Sequence, residues 1–179
     1  VYGTVKPLKT FNPLWANIEV FYQMILDSYR TKKFKDKIRV WFSPPAWRPD
    51  DVKEKYPVQK NDLDNFEKYD PEITTMEKVF AFFQFSMING LTILMLFNID
   101  KFTYQEMAGV AMLVSTLAIS NALLLDGRNY ANNVEVLRAC TVLIFIYLGF
   151  FTNFVYLILA HTVIALIVAS VLSLGFNQP

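Results

Sequence analysis

Three long stretches without a charged side chain most strongly restrict what this sequence can fold into. Residues 79–99 and 107–125 are 21 and 19 residues long, and the last 41 residues, from Ala139 onward, also lack Lys, Arg, Asp and Glu. About 20 predominantly apolar residues are needed for an α-helix to cross the hydrocarbon core of a bilayer. These runs therefore predict an all-α integral membrane protein.

Helix-start signals precede the hydrophobic runs and set their predicted bounds. A capping residue is followed three positions later by glutamate at Thr74–Glu77, Thr103–Glu106 and Asn132–Glu135, which is the pattern of a capping box. The last run is about twice the length of one span, and "GFFTN" at 149–153 is its predicted break, with Gly149 ending one helix. The pattern predicts a bundle of four transmembrane segments in residues 71–179, near 76–99, 104–126, 133–150 and 154–175.

Residues 1–70 are predicted to form a helical cap at the cytosolic or interfacial side. Asn12 and Pro13 mark a helix start, and an apolar face follows at helical spacing: Leu14, Trp15, Ile18, Phe21, Tyr22, Ile25 and Tyr29. Lysines and aromatic residues, Trp41 among them, then alternate through residues 32–42. Such a mixture suits contact with an anionic membrane surface, and a solvated amphipathic helix is the alternative.

The stretch "FSPPAWRPDDV" at 42–52 is predicted to be a rigid elbow that joins the cap to the bundle. Its three prolines lack backbone N–H groups, which excludes the interior of a helix or sheet. Trp47 is expected to anchor at the membrane interface or against the cap. Arg48 is expected to pair with acidic side chains or phosphate headgroups, although an ordinary packed linker would carry the same residues.

The distribution of charge predicts both an orientation and a partner. Residues 1–78 hold 14 of the 17 basic and 12 of the 16 acidic side chains. This small net excess gives no reason to expect nucleic acid as a partner. Arg128 and Arg138 would lie on the same side as the cap, and Lys101 on the other. The positive-inside rule then predicts that the N-terminal region and the C-terminus are both cytoplasmic.

The predicted spans are interpreted as free of charged residues, which argues against a proton-coupled transporter. The only cysteine, Cys140, lies in a predicted span, so neither a disulfide framework nor a thiolate metal site is expected. His161, the one histidine, is either a proton relay or metal ligand, or a neutral imidazole bonded to a neighbouring helix. Polar residues such as Gln84, Ser120 and Asn121 would line a lipid cavity or hold helices together.

The N-terminal third resembles the sterol desaturase and fatty acid hydroxylase superfamily, in particular bacterial members related to alkylglycerol monooxygenase. The residues that carry the resemblance are "YG", "PL", "FNPLWAN", "KDKIRVWF" and "PPAWRP", and "LLLDGRNYANNVEVLR" is similar to a loop between late membrane segments of this group. Related sequences often have Pro-Pro-Gly-Trp-Arg-Pro at the elbow, and Ala46 departs from that pattern. Alanine tolerates positive φ poorly.

The resemblance implies an integral membrane oxygenase with a di-iron centre that is held by clustered histidines and acts on lipids. Those clusters would precede the present chain, so no iron ligand or other catalytic residue is expected on it. The expected function is the non-catalytic C-terminal membrane region of such an enzyme, with the bilayer, a lipid substrate and the upstream catalytic part as partners. The alternative is a self-contained small membrane protein that acts as a binding or assembly partner.

Overall fold

The fold is all-helical in the part of the chain that the structure, a computed structural model, describes: residues 8–44, 47–58 and 68–175. These residues form seven α-helices and one short 3-10 helix, Ile99–Lys101. The chain divides into two compact units, Val1–Tyr69 and Asp70–Pro179. Each unit is described separately below.

The first unit contains three helices, α1 (Pro13–Arg30), α2 (Phe34–Phe42) and α3 (Asp50–Lys55). The predicted start of α1 is confirmed, because the Asn12 side chain accepts the backbone N–H groups of Leu14 and Trp15 at 2.9 and 3.2 Å and Pro13 occupies the first turn. Helices α1 and α2 pack against each other. The elbow connects α2 to α3 inside this unit, and its residues 45–46, including Ala46, lie outside the described residues.

The second unit contains α4 (Thr75–Phe97), α5 (Tyr104–Leu125), α6 (Ala131–Tyr147) and α7 (Val155–Gly175). Among the described residues, three helices are long and apolar enough to cross a membrane, namely α4, α5 and α7. The predicted segments 76–99, 104–126 and 154–175 correspond to them with shifts of at most two residues. This composition is compatible with an integral membrane protein.

The third predicted segment, 133–150, corresponds to α6, which differs from the other three helices. It is 17 residues long, or about 25 Å at 1.5 Å per residue. Its first two turns carry Glu135 and Arg138, both buried. Helix α6 nevertheless packs extensively against α7 and also contacts α5, so it belongs to the bundle.

Two of the three predicted capping boxes are confirmed and the third is wrong. Thr74 and Thr103 each accept the backbone N–H of the glutamate three residues later, and each glutamate accepts the threonine N–H in return. Helix α6 instead begins after Tyr130, without a side-chain cap. Glu135 cannot complete a box because its carboxylate is bonded to Ser120 and Arg138 inside the bundle.

The connections on either side of α6 are closed by glycines with positive φ. Gly149 has φ of +76° and donates to the carbonyl of Ile146, and Phe150 donates to that of Phe145. This is a Schellman ending, and the Phe145 and Phe150 rings contact each other in a tilted arrangement with centroids 5.1 Å apart. The predicted helix end at Gly149 is confirmed, and Gly127, with φ of +62°, ends α5 in the same way.

Two apolar clusters form the core of the second unit, and every helix contributes to both. The first cluster includes Met87, Leu117, Val142 and Ile158, and the second includes Phe80, Leu124, Ala131 and Ala165. Buried polar residues lie between the two clusters along each helix: Phe80–Gln84–Leu91 in α4, Leu117–Ser120–Leu124 in α5, Ala131–Glu135–Arg138–Val142 in α6 and Ile158–His161–Ala165 in α7. A polar layer therefore separates the two apolar clusters.

Candidate functional site

The polar layer consists of five buried side chains from all four helices of the second unit. They are Gln84, Ser120, Glu135, Arg138 and His161, and none is more than 7% exposed. Ionisable groups at this depth among apolar helices are costly and mark functional or structural centres. The polar layer is therefore the candidate functional site of this chain.

An ion pair within α6 forms the centre of the polar layer. Arg138 Nε donates to Glu135 Oε2 at 2.9 Å, and Arg138 Nη2 donates to Glu135 Oε1. The two residues are three positions apart, so they lie on one face of the helix. A guanidinium that binds both carboxylate oxygens compensates the charge with fixed geometry, which lowers the free-energy cost of burying either group alone.

Two neighbouring helices add hydrogen bonds to the Glu135 carboxylate. Ser120 of α5 donates through Oγ to Oε2, and the Gln84 amide of α4 also donates to this carboxylate. His161 of α7 lies close enough to interact electrostatically with Glu135 and Arg138. One carboxylate thus connects three helices directly, which fixes their rotation relative to one another.

Several buried polar atoms of this region have no hydrogen-bond partner among the described residues. Three belong to the polar layer: Gln84 Oε1, Arg138 Nη1 and His161 Nε2. Asn121 Oδ1 and Asn132 Oδ1, close in sequence to Ser120 and Glu135, are also buried without a hydrogen-bond partner among the described residues. Because an unpaired buried polar atom costs about 1–3 kcal/mol, the layer is less completely satisfied than an ordinary core.

His161 contacts an aromatic ring instead of forming the expected hydrogen bond through Nε2. Its imidazole is 4% exposed and stacks on Phe83 at 5.0 Å with an angle of 18° between the rings. Within the described ranges, no group of three or more His, Cys, Asp and Glu side chains is placed to hold a metal ion. Both interpretations of His161 remain predictions.

The interpretation that the predicted spans contain no charge is wrong. The uncharged run begins at Ala139, but α6 begins eight residues earlier and includes Glu135 and Arg138. Because Arg138 binds the Glu135 carboxylate directly, the two charges compensate each other and both residues can be buried in the bundle. A signal was present in the sequence: an acid and a base three residues apart inside a segment predicted to begin at 133.

The predicted site residues of the elbow are engaged inside the first unit. Arg48 donates from Nε and Nη2 to Asp27 at 2.5 and 2.9 Å, and from Nη1 to the carbonyl of Tyr56 at 3.0 Å. Asp27 is 2% exposed and also accepts the amide of Gln23 at 2.7 Å. This ion pair connects the elbow to α1, and it occupies the nitrogen atoms that a phosphate headgroup would require.

The three tryptophans, all predicted interface residues, lie in different surroundings. The guanidinium of Arg39 lies 4.8 Å from the ring centroid of Trp47, and Trp47 is only partly exposed. Trp15 and Trp41 are 38% and 47% exposed. Trp47 therefore packs within its own unit, whereas Trp15 and Trp41 present much of their surface outward.

A groove runs along the outside of the bundle between α5 and α6. Its volume is about 270 Å³, and its walls include Met112, Thr116, Leu137 and Phe145. The hydroxyl of Thr116 is bonded to carbonyls of its own helix. At one end Phe151 closes the groove against Gly109, where an added Cβ would meet its ring at 3.3 Å. The groove is thus mostly apolar, with Arg138 as the charged residue in its lining, and Phe151 bounds one end.

These features define the class of the protein as an all-helical chain with three helices suited to a membrane and a buried polar layer between them. No family model, no curated protein and no solved structure matches this chain.

Proposed function

We propose that this chain is the C-terminal, non-catalytic membrane region of a di-iron lipid oxygenase of the sterol desaturase and fatty acid hydroxylase type. In this role residues 1–70 complete the cytosolic cap over the upstream catalytic part. Residues 71–179 anchor the enzyme through four membrane segments, with α6 as the shortest. The iron and the oxygen chemistry belong to the upstream part, and both termini of this chain lie on the cytoplasmic side.

The contact between Arg39 and Trp47 is the observation that carries the proposal. Arg39 belongs to "KDKIRVWF" and Trp47 to "PPAWRP", two of the motifs behind the resemblance, and they stack at 4.8 Å. A guanidinium over an indole ring is a favourable cation–π contact. The two motifs therefore pack on each other within the cap, as the proposal requires.

The groove between α5 and α6 supports the lipid part of the proposal. Its wall is nearly all apolar, and its two threonines, Thr116 and Thr141, bond to carbonyls of their own helices. Arg138 also lines the groove, but its Nε and Nη2 are held by Glu135, and the rest of the wall offers an apolar surface to a hydrocarbon chain. We assign it the role of a path for the tail of the lipid substrate.

The orientation of the chain in the membrane is inferred from the basic residues of its loops, without Arg138. Arg138 is buried in the polar layer, so it does not count toward the charge of a loop. The cap still holds 14 of the 17 basic side chains, and Arg128 lies in the connection between α5 and α6. The positive-inside rule therefore still favours a cytoplasmic cap.

The test is the mass and the iron content of the gene product isolated from its own membrane. The proposal expects a polypeptide clearly larger than 20.7 kDa, with about two iron atoms per chain. A product of 20.7 kDa without iron would overturn the proposal and would leave the self-contained membrane protein as the function.

A variant of the larger enzyme tests the role of the cap. Arg48→Met removes the contacts to Asp27 and Tyr56, and we expect it to lower the oxygenase activity at unchanged iron content. Lys53→Met on α3 is the matched control, because Lys53 lies in an exposed pair with Asp50. Equal activity of both variants would contradict a role of the cap in the reaction.

A further inference from the structure

Helix α1 presents its apolar stripe outward. The stripe consists of Leu14, Ile18, Phe21, Ile25 and Tyr29, which recur every three or four residues and are each at least 50% exposed. Tyr29 reaches 82% exposure. A helix of a water-soluble protein directs such a stripe toward the core, so this stripe lacks its usual cover in the first unit.

The inward side of α1 carries polar groups instead. Asp27 alone is buried among the residues of α1, all of which are described. Around it, Gln23 donates to Asp27, and Ser28 donates to the carbonyl of Lys37 at 3.0 Å. The one buried position of α1 is therefore a carboxylate, and Met24 and Leu26 are only half-buried, whereas the larger apolar side chains are exposed.

Helix α2 repeats this arrangement. Phe34, Ile38 and Phe42 are 73%, 51% and 87% exposed, and Trp41 is 47% exposed. Val40 is the one buried residue of this fully described helix. Two helices that pack on each other thus both keep large apolar side chains on their outer surfaces.

Basic side chains surround the junction of the two helices. Arg30, Lys32, Lys33 and Lys35 are all exposed within six positions. Aromatic and aliphatic side chains beside a basic cluster are the combination that binds the headgroup region of an anionic membrane. Helix α4, which is suited to cross a membrane, follows in the same chain, so a bilayer is within reach.

We propose that the α1–α2 surface, residues 13–42, binds an anionic lipid bilayer. The stripe of α1 and the outward residues of α2 enter the boundary between headgroups and acyl chains, and the basic junction contacts the phosphates. This assignment does not depend on the oxygenase proposal, because it uses only the exposed side chains and their charge.

The proposal distinguishes Trp47 from the other two tryptophans. Trp15 and Trp41 belong to the outward residues of the α1–α2 surface and reach the lipid. Trp47 is not one of these outward residues: it is only partly exposed, its ring is covered by the guanidinium of Arg39, and Arg48 beside it is occupied by Asp27 and Tyr56. Trp47 therefore stays away from the acyl chains in the same molecule.

Three single-tryptophan variants of the full chain test this difference in vesicles. Each keeps one of Trp15, Trp41 and Trp47 and has phenylalanine at the other two positions, which account for all tryptophans of the chain. In vesicles of anionic phosphatidylglycerol with brominated acyl chains, we expect at least twofold quenching at Trp15 and Trp41 and little at Trp47. Quenching at Trp15 and Trp41 no greater than at Trp47 would overturn the proposal.

Charge variants test whether the surface recognises an anionic bilayer or any bilayer. Each basic residue near an anionic surface strengthens binding about fivefold, so Lys32→Glu with Lys35→Glu should reduce the quenching of Trp41 to its level in zwitterionic vesicles. Lys53→Glu with Lys55→Glu, on α3, makes the same charge change outside the α1–α2 surface and should leave the quenching of Trp41 unchanged. Equal quenching of Trp41 in anionic and zwitterionic vesicles would show that the basic junction does not recognise the lipid charge, and the proposal of an anionic bilayer would fail.

Discussion

Among the described residues, each unit has one arginine–carboxylate pair whose carboxylate is buried, and the two pairs are built differently. Asp27 and Arg48 in the first unit are 21 positions apart, and every nitrogen atom of this guanidinium has an acceptor. Glu135 and Arg138 in the second unit are three positions apart, and Nη1 of Arg138 has no partner among the described residues. The first pair joins distant segments, whereas the second neutralises one helix.

This difference shows what each pair contributes. The Asp27–Arg48 pair determines where the elbow lies, because it attaches the residue after Trp47 to the last turn of α1. The Glu135–Arg138 pair lies within one helix, so its spacing alone allows it to form in an isolated α6. It stabilises the bundle through the hydrogen bonds that Ser120 and Gln84 donate to Glu135 from the two other helices. Removal of Arg48 and removal of Arg138 are therefore each expected to lower the stability of their unit, but for different reasons.

The largest effect is expected for Arg138→Met. This change leaves the Glu135 carboxylate charged and unpaired among apolar helices, which costs about 3–5 kcal/mol. We expect the free energy of unfolding of the bundle to fall by that amount. Cys140, the single cysteine and exposed on α6, accepts a fluorescent label that reports unfolding in detergent.

The double variant Glu135→Met with Arg138→Met is the control for this prediction. Replacing both members of a buried pair by apolar residues is often neutral or stabilising, so most of the lost stability should return. If the double variant were as unstable as Arg138→Met, the pair would not be the source of the loss.

Arg48→Met is expected to have the next largest effect. It removes two hydrogen bonds to a buried carboxylate, and hydrogen bonds to charged groups contribute about 1.5–3 kcal/mol. We expect the unfolding free energy of the first unit to fall by about 2–3 kcal/mol, measured by the fluorescence of Trp47. Lys53→Met should stay within about 0.5 kcal/mol of the parent chain; a loss equal to that of Arg48→Met would remove the distinction between a buried and an exposed pair.

Local signals in the sequence predicted much of the fold. The uncharged runs predicted α4, α5 and α7, two capping boxes placed the starts of α4 and α5, and Gly149 marked the end of α6. Each of these features depends on neighbouring residues, so spacing and composition suffice to find it.

The contacts of the two ion pairs could be predicted only in part. The spacing of Glu135 and Arg138 indicates a pair, but the hydrogen bonds from Gln84 and Ser120 depend on how four helices rotate. The partner of Arg48 could not be predicted at all, because nothing near the elbow distinguishes Asp27 from the other acidic side chains. Long-range packing decides such choices, and one sequence does not contain that information.

A smaller effect is expected where glycine ends a helix. Gly149 has φ of +76° and an added Cβ would meet nothing within 4 Å, so Gly149→Ala costs only the backbone strain of the left-handed conformation, about 1 kcal/mol. Gly90→Ala is the matched control, because Gly90 lies inside α4 with equally open surroundings, and alanine there should stabilise by about 0.5–1 kcal/mol. Detergent unfolding with the Cys140 label measures the change in unfolding free energy for both variants. If both alanines stabilised the bundle, or both destabilised it, the assignment of the Schellman ending would be contradicted.

The smallest effect concerns a carboxylate of the first unit that stays near water. The backbone N–H of Lys32 donates to Asp51 at 2.9 Å and the Thr31 hydroxyl also donates, and these bonds hold the pKa of Asp51 below its usual value of 3.8. The charged form is favoured in the fold, so this contribution is present above pH 3.8 and is lost as the pH falls through the lowered pKa. In Thr31→Val we expect the Asp51 pKa to rise toward the usual value, followed by carboxyl NMR. An unchanged pKa would show that the Thr31 hydroxyl does not stabilise the Asp51 carboxylate, and the backbone N–H of Lys32 would then be the main cause of the lowered pKa.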